Sequence, residues 1–230
     1  METQKIDGIV LSVSKFKDHD VLATILTKNG TRKIKFTGVR KPKAKFAFAA
    51  QPFCHAEFLL SSSKDYAVVM GVEQKSDFFA LTSDYDVFEL GSQMLVVTKK
   101  IATENQDSTA LFDLLLLGLS LLLAGAEPNL VECVFLSRVL FDMGVFAGQN
   151  VCVRCGSSLQ TGALFDLQTG ASYCKDCAPD FAVVCSKNVL QHITDCINLP
   201  LSNLLAKSVP AGVAKQAVEF LKKILHNQVG

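Results

Sequence analysis

Acidic side chains are missing from one long stretch of the chain: none occurs between Asp20 and Glu57. Also missing is an apolar run able to cross a bilayer. The longest, LLLLGLSLLLAGA from Leu114 to Ala126, falls short of the ~18–20 residues a span needs and has Asp113 at its edge, so it reads as a buried helix. METQKIDG at the start carries no apolar signal region. Eight cysteines in 230 residues fit reduced thiols or a metal site better than a secreted disulfide framework, and the expected compartment is the cytoplasm. No Walker loop, G-x-G-x-x-G, G-x-S-x-G or H-E-x-x-H occurs, and His19, His192 and His226 are scattered singly. These absences favour a binding protein over an enzyme. Internal repeats and low-complexity tracts are absent too.

What is present is an uneven distribution of charge. Residues 31–46, TRKIKFTGVRKPKAKF, hold seven Lys or Arg among sixteen, and Lys28 adds an eighth base to the acid-free window. The whole chain carries only +1, because residues 1–80 have 13 basic and 8 acidic side chains (13 − 8 = +5) while residues 81–230 have 10 and 14 (10 − 14 = −4). Such asymmetry points to a polyanion-binding domain joined to something else. With 49% hydrophobic residues the chain can bury a real core in one or two domains.

Periodicity divides the chain further. From Ile6 to about Glu73 short β-prone runs recur, IDGIVLSV, DVLATILT, TRKIKFTGV, PFCHAEFLL and YAVVMGVE, with Lys28-Asn29-Gly30 as a tight hairpin turn. Five strands predict a small barrel. In the third, Ile34 and Phe36 point inward and Lys33 and Lys35 outward. From about Thr82 to Gly148 the pattern is helical, suiting an antiparallel bundle. Ser83 or Asp84 caps a helix through Lys100, Asp107 or Ser108 another through Ala124, and Pro128 opens a third that Gly144 closes. Ser186 caps a later helix with Val189, Leu190, Ile193 and Ile197 on one side, ended by Pro200, and a last helix runs from Pro210 to Leu225.

Between these helices lies the strongest motif. Cys152-x-x-Cys155 and Cys174-x-x-Cys177 are separated by 18 residues, inside the range that reads as a zinc site. Two knuckles joined by a hairpin let four thiolates converge tetrahedrally, and four protein ligands leave no open position, so such a zinc is structural. The bland alternative is core or redox thiols. Cys54, Cys133, Cys185 and Cys196 lie in apolar patterns and read as small buried hydrophobes. His55-Ala56-Glu57 matches the H-x-E of zinc nucleobase deaminases, but there a Pro precedes the C-x-x-C, whereas Val151 precedes Cys152 here. That makes a deaminase a distant alternative.

GIVLSVSKFKDHDVLATILTKNG, GVRKPKAKF followed by QPF, FLSRVLFDMGV leading into CVRCG, and ALFDLQTGASYCKDC before a helical tail resemble, in order and over nearly the whole chain, the bacterial RecO family of DNA repair proteins. The resemblance implies an α+β multidomain fold: a five-stranded OB-fold barrel over residues 1–80, a helical domain over 81–150 and 181–230, and a four-Cys zinc-finger insertion over 151–180. RecO-like proteins bind single- and double-stranded DNA, anneal complementary strands, associate with RecR, and engage the acidic tail of single-strand-binding protein so that RecA can load. They hydrolyse no nucleotide, and a nucleoid-associated place in the cytoplasm follows. The family's basic stretch falls on Arg40, Lys41, Lys43 and Lys45, and its metal pattern on Cys152, Cys155, Cys174 and Cys177.

An OB barrel that binds DNA combines a basic groove with aromatics that stack bases. Lys28, Arg32, Lys33 and Lys35 extend the basic run, and Phe46, Phe48 and, less readily, Phe36 interleave with it. A merely solvated charged face is the competing reading of the bases, and core packing that of the phenylalanines. Residues 81–151 hold three bases and nine acids, so an acidic partner would find few anchors there. Arg138, between Phe135 and Phe141, is the first choice, against an ordinary i, i+4 pair with Asp142, and Lys99 and Lys100 come next. A zinc-stabilised adaptor whose basic loop docks an acidic protein is the main alternative function.

Overall fold

The computed structural model describes residues 3–61, 66–145, 151–159 and 161–229. The expected end of the first helical part, at Gly148, lies outside them. Two compact units emerge, Met1–Gly125 and Ala126–Gly230.

In the first unit, β1 (Thr3–Phe16), β2 (Asp20–Thr27), β3 (Gly30–Phe36), β4 (Cys54–Ser61) and β5 (Ala67–Asp77) close a barrel in the order β1-β2-β3-β5-β4. Every seam is antiparallel except β3 with β5, which is parallel and held by two residue pairs, Ile34↔Ala67 and Lys35↔Val68. Period-2 alternation fills the interior with Val10, Val21, Ala23, Ile25, Ile34, Phe36, Ala56, Phe58, Leu60 and Val69. Phe36 meets Phe58 edge to face at 6.2 Å. That places Phe36 in the core and removes it from the base-stacking candidates.

The β2–β3 hairpin turns on Lys28 and Asn29, with Thr27 opposite Gly30. Thr27 Oγ1 accepts from the Asn29 N–H at 3.1 Å and donates to the Gly30 carbonyl at 2.8 Å. Gly30 has φ +94°, and a Cβ there would lie 2.2 Å from the Thr103 carbonyl oxygen, so only glycine fits. Around it the hairpin tip docks on residues 103–108: Thr31 N–H donates to Thr103 O at 3.0 Å and Ser108 N–H to Lys28 O at 2.8 Å.

Those residues join α1 (Tyr85–Ile101) to α2 (Thr109–Leu123). Asp84 caps α1 by accepting from the N–H groups of Asp86 and Val87, whereas at α2 the Asp107 carboxylate, not the Ser108 hydroxyl, accepts from Thr109. Instead of joining a helical bundle, both helices group with the barrel, since Ile9, Leu26 and His55 are buried although they point away from its interior. α1 lies on β1 and α2 on β2. His55 meets the Phe112 ring at 6.0 Å.

The second unit contains α3 (Pro128–Asp142), a sheet of order β7-β6-β8 formed by β6 (Gly162–Phe165), β7 (Ser172–Tyr173) and β8 (Val183–Ser186), then α4 (Lys187–Asn198), α5 (Leu201–Ala206) and α6 (Val213–Val229). Ser186 caps α4 as expected, through Val189 N–H. On that helix His192 and Cys196 are buried where Ile197 was expected and is only partly covered. α5 was not anticipated, and α6 begins after Gly212, φ +79°, instead of at Pro210. β8 carries the Cys-containing segment to Ser186, past the expected limit at residue 180. No helix among the described residues is long and apolar enough to cross a membrane.

Candidate nucleic-acid interface and metal centre

The structure sorts the basic residues into engaged and unengaged groups. Lys28 Nζ lies 3.3 Å from Asp113 and Lys35 Nζ 3.7 Å from Asp20, and each also sits over a ring, Phe112 and Phe16 respectively. Arg32 donates to Gln4 at 3.1 Å, and Arg40 donates from Nη1 to the Asp18 carbonyl at 3.2 Å. By contrast Lys33, Lys41, Lys43 and Lys45 are exposed with no acidic partner among the described residues. Half of the run is thus engaged by the fold, and half is exposed without a counterion among the described residues.

The connection from β3 to β4 displays three of those lysines. Gly38 N–H donates to Asp20 Oδ1 at 2.8 Å and Arg40 N–H to His19 O at 3.0 Å, fixing its start against the β1–β2 loop. Consecutive turns follow, with Lys43 at φ +58°, ending in a short 3-10 helix, Ala47–Ala49, whose Ala49 is buried. Phe46 packs partly on the barrel core with Lys45 Nζ 5.2 Å from its ring, while Phe48 is 41% exposed and free to stack.

Two aromatics escaped the sequence reading. Phe16 and Tyr66 meet edge to face at 5.5 Å, and Lys17 and Lys35 both lie within 5.8 Å of the Phe16 ring. Cations beside aromatics on the β1–β2–β3 face resemble the way single strands are held, by phosphate attraction and base stacking. Phe16 was legible, flanked by Lys15 and Lys17; Tyr66 was not, since only barrel closure brings it there. A cavity of about 820 Å³ adjoins this face, with Lys5, Lys28, Arg32, Lys33 and Tyr66 on its walls.

His55 and Glu57 are both engaged by other side chains of the barrel. The His55 Nε2 lies 3.0 Å from Asp7, its Nδ1 3.4 Å from Ser76, and Glu57 is paired with Lys5 at 2.6 Å. Burial pushes the imidazole below its ordinary value, although Asp7 pulls it up. Among the described residues neither joins a cluster able to hold a metal.

Cys152, Cys155, Cys174 and Cys177 do form such a cluster, with all four sulfurs within 4.8 Å of one another. The Cys155–Cys174 separation of 3.7 Å matches the ~3.8 Å edge of a tetrahedron with 2.3 Å metal–sulfur bonds. Gly156, φ +72°, closes the first knuckle through its N–H to Cys152 O at 2.8 Å, and Cys177 and Ala178 close the second on Cys174 O. Burial raises the Cys152 thiol, but the N–H groups of Cys174, Cys155 and Arg154 outweigh it and bring it down to about 6. Hydrogen bonding from Ser157 lowers Cys174, while Cys177, sharing its proton with Cys174 and Cys155, is pushed up to about 12. Sulfur held as thiolate in this way fits a metal ion, whose binding would release the protons still on the cluster. Of the other cysteines, burial pushes Cys54 up to about 11 and Cys185 to about 12, as inert core thiols should behave.

Arg138 is not in the i, i+4 pair with Asp142. Its Nε donates to Cys196 O at 3.0 Å and its Nη2 to Leu199 O at 3.1 Å, so it clamps the C-terminal end of α4, where carbonyls lack intrahelical partners. It forms no ion pair with Asp142, and two of its five N–H donors are taken by these carbonyls. Arg138→Ala should therefore destabilise the chain by about 2–3 kcal/mol in urea denaturation, and Arg138→Lys should restore only part, because an ammonium cannot fork to two carbonyls. Lys99 and Lys100 lie in the last turn of α1.

Comparison with known families divides the chain just before α1, not at the boundary between the two compact units. Residues 1–78 match the family described as Recombination protein O N terminal and residues 83–230 the one described as Recombination protein O C terminal. Proteins named DNA repair protein RecO align along most of their length. The one from Desulforudis audaxviator is 26% identical over 225 residues, covering 96% of this chain and 90% of the relative. That from Acetivibrio thermocellus is 25% identical over 233 residues, 98% and 93%. The Streptomyces avermitilis protein is 31% identical over 195 residues, 80% and 78%.

Proposed function

The chain belongs to the recombination protein O family, whose field is DNA repair and recombination, and from that premise we propose that it is a non-enzymatic mediator that binds single- and double-stranded DNA and anneals complementary strands. The observation that carries the reading is the set of four exposed lysines without acidic partners, Lys33, Lys41, Lys43 and Lys45, on a barrel read as an OB-fold. Neutralising phosphates lets two polyanionic strands approach, and contacts to backbone and base faces, without base-edge readout, leave them free to slide into register. Phe48, Phe16 and Tyr66 supply stacking surfaces.

With RecR, the protein would help RecA load onto DNA coated by single-strand-binding protein. With two Arg138 donors held by α4, Lys99 and Lys100 are the anchors proposed for that protein's acidic tail. The four-Cys cluster would hold one structural zinc, fixing the two knuckles and the sheet behind them. No step needs a nucleotide.

Annealing of complementary oligonucleotides by the purified protein tests this. Acceleration is expected at about 50 mM salt and should collapse toward 200 mM, as counterion release demands. Protein that neither binds nor anneals DNA at low salt, yet retains an acidic protein partner, would move the assignment to an adaptor.

A further inference from the structure

Cys133, His192 and Cys196 converge inside the second unit. Their ligating atoms lie within 4.8 Å of one another, and all three residues are buried. Cys133 Sγ is 3.6 Å from Cys196 Sγ, nearly the 3.7 Å found between Cys155 and Cys174 in the four-Cys cluster, and His192 Nε2 is 3.9 Å from Cys196 Sγ. Ser137 Oγ, fully buried, stands 3.9 Å from Cys133 Sγ.

The placement follows from helical geometry. His192 and Cys196 are i, i+4 on α4; Cys133 and Ser137 are i, i+4 on α3; and the two helices pack together. Each helix thus presents one pair of donors to the other, as bundle metal sites are built. Arg138 locks the two at this level by donating to the carbonyl of Cys196 itself. As hydrogen bonds the contacts are poor. Among the described residues His192 has only the sulfur at 3.9 Å as a polar partner and Ser137 only that of Cys133, although buried polar groups are ordinarily better satisfied. As edges of a coordination polyhedron the same distances are ordinary.

We propose that Cys133, His192 and Cys196 form a second metal site, separate from the four-Cys cluster, for a thiophilic closed-shell cation, zinc or monovalent copper, with Ser137, beside Cys133, as a fourth donor. Two thiolates and an imidazole suit both ions, and three protein donors suffice for copper whereas zinc takes a fourth. The site ties α3 to α4 from within. Because its donors are buried, the ion leaves only when the helices part, so a chelator should strip the four-Cys cluster first.

Elemental analysis of the full chain, purified under reducing conditions without chelator after growth with zinc or with copper, provides the test. Two metal ions per chain are expected. Cys174→Ser should leave one, His192→Asn one, and the double variant none; which element persists in Cys174→Ser names the inner ion. Cobalt loading of Cys174→Ser should still give thiolate charge-transfer absorption, lost on adding Cys133→Ser. One metal that survives Cys174→Ser and vanishes in His192→Asn would support the inner site while removing the outer. A wild-type protein that never exceeds one metal, together with a folded Cys174→Ser holding none, would overturn the proposal.

Discussion

Replacing Lys33, Lys41, Lys43 and Lys45 together by Ala flattens the salt dependence of DNA binding by about 2.8 in log–log slope, at ~0.7 for each phosphate left without its lysine on single strands. The advantage of the unaltered protein over the variant then shrinks about 50-fold between roughly 50 and 200 mM salt. The weakening should be alike for all sequences, because phosphate contacts carry no base information. A matched control lies in the same barrel. Lys28 and Lys35 already face Asp113 and Asp20, so Lys28→Ala with Lys35→Ala removes charge whose counterion the protein itself supplies. Its slope should change by clearly less per residue. Equal slopes for the quadruple variant and the unaltered protein, measured by filter binding, would refute the assignment of this surface to DNA.

Gly30→Ala is expected to destabilise the first unit by roughly 3–5 kcal/mol, combining a strained left-handed backbone with the loss of hydrogen bonds to the 103–108 segment. That corresponds to a fall of about 10 °C in melting temperature for a chain of this size. The new methyl would sit 2.2 Å from Thr103 O and 3.1 Å from both Asn105 N and Gln106 O, all backbone, which cannot yield as a side chain tip can. Gly125→Ala isolates the backbone part, since Gly125 also has positive φ, +78°, but meets nothing within 4 Å. If the two substitutions cost the same, steric docking of the hairpin tip contributes nothing. The substitution should weaken DNA binding too, because Thr27, Lys28, Asn29 and Thr31 of the hairpin and Glu104 and Asn105 of the docked segment share one cavity wall.

Local pattern made most of the barrel legible. Alternation placed Ile34 and Phe36 inside and Lys33 outside, and the cap residues Asp84 and Ser186 marked two helix starts. The four-Cys site was readable because its ligands come in two close pairs. What escaped reading depends on residues far apart in sequence. α1 and α2 looked like bundle helices, and nothing in their own pattern says that their apolar faces cover Ile9, Leu26 and His55. Arg138 looked like half of an i, i+4 pair, whereas its partners, Cys196 and Leu199, lie on another helix and at its end. Likewise Cys133 read as a core thiol by itself. The spacing of His192 and Cys196 was the visible half of that cluster, and it gave no sign of a third ligand 59 residues upstream of His192 (192 − 133 = 59).

The connection that carries Lys41, Lys43 and Lys45 is pinned at both ends, by Asp20 and His19 at its start and by Ala49 and Phe46 against the barrel at its finish. A disordered basic tail would have to surrender roughly 1–2 kcal/mol of backbone freedom per residue when it meets a nucleic acid. Here that ordering is completed when the barrel folds, so the lysines meet a strand already spaced, and little of the phosphate attraction is consumed in arranging them.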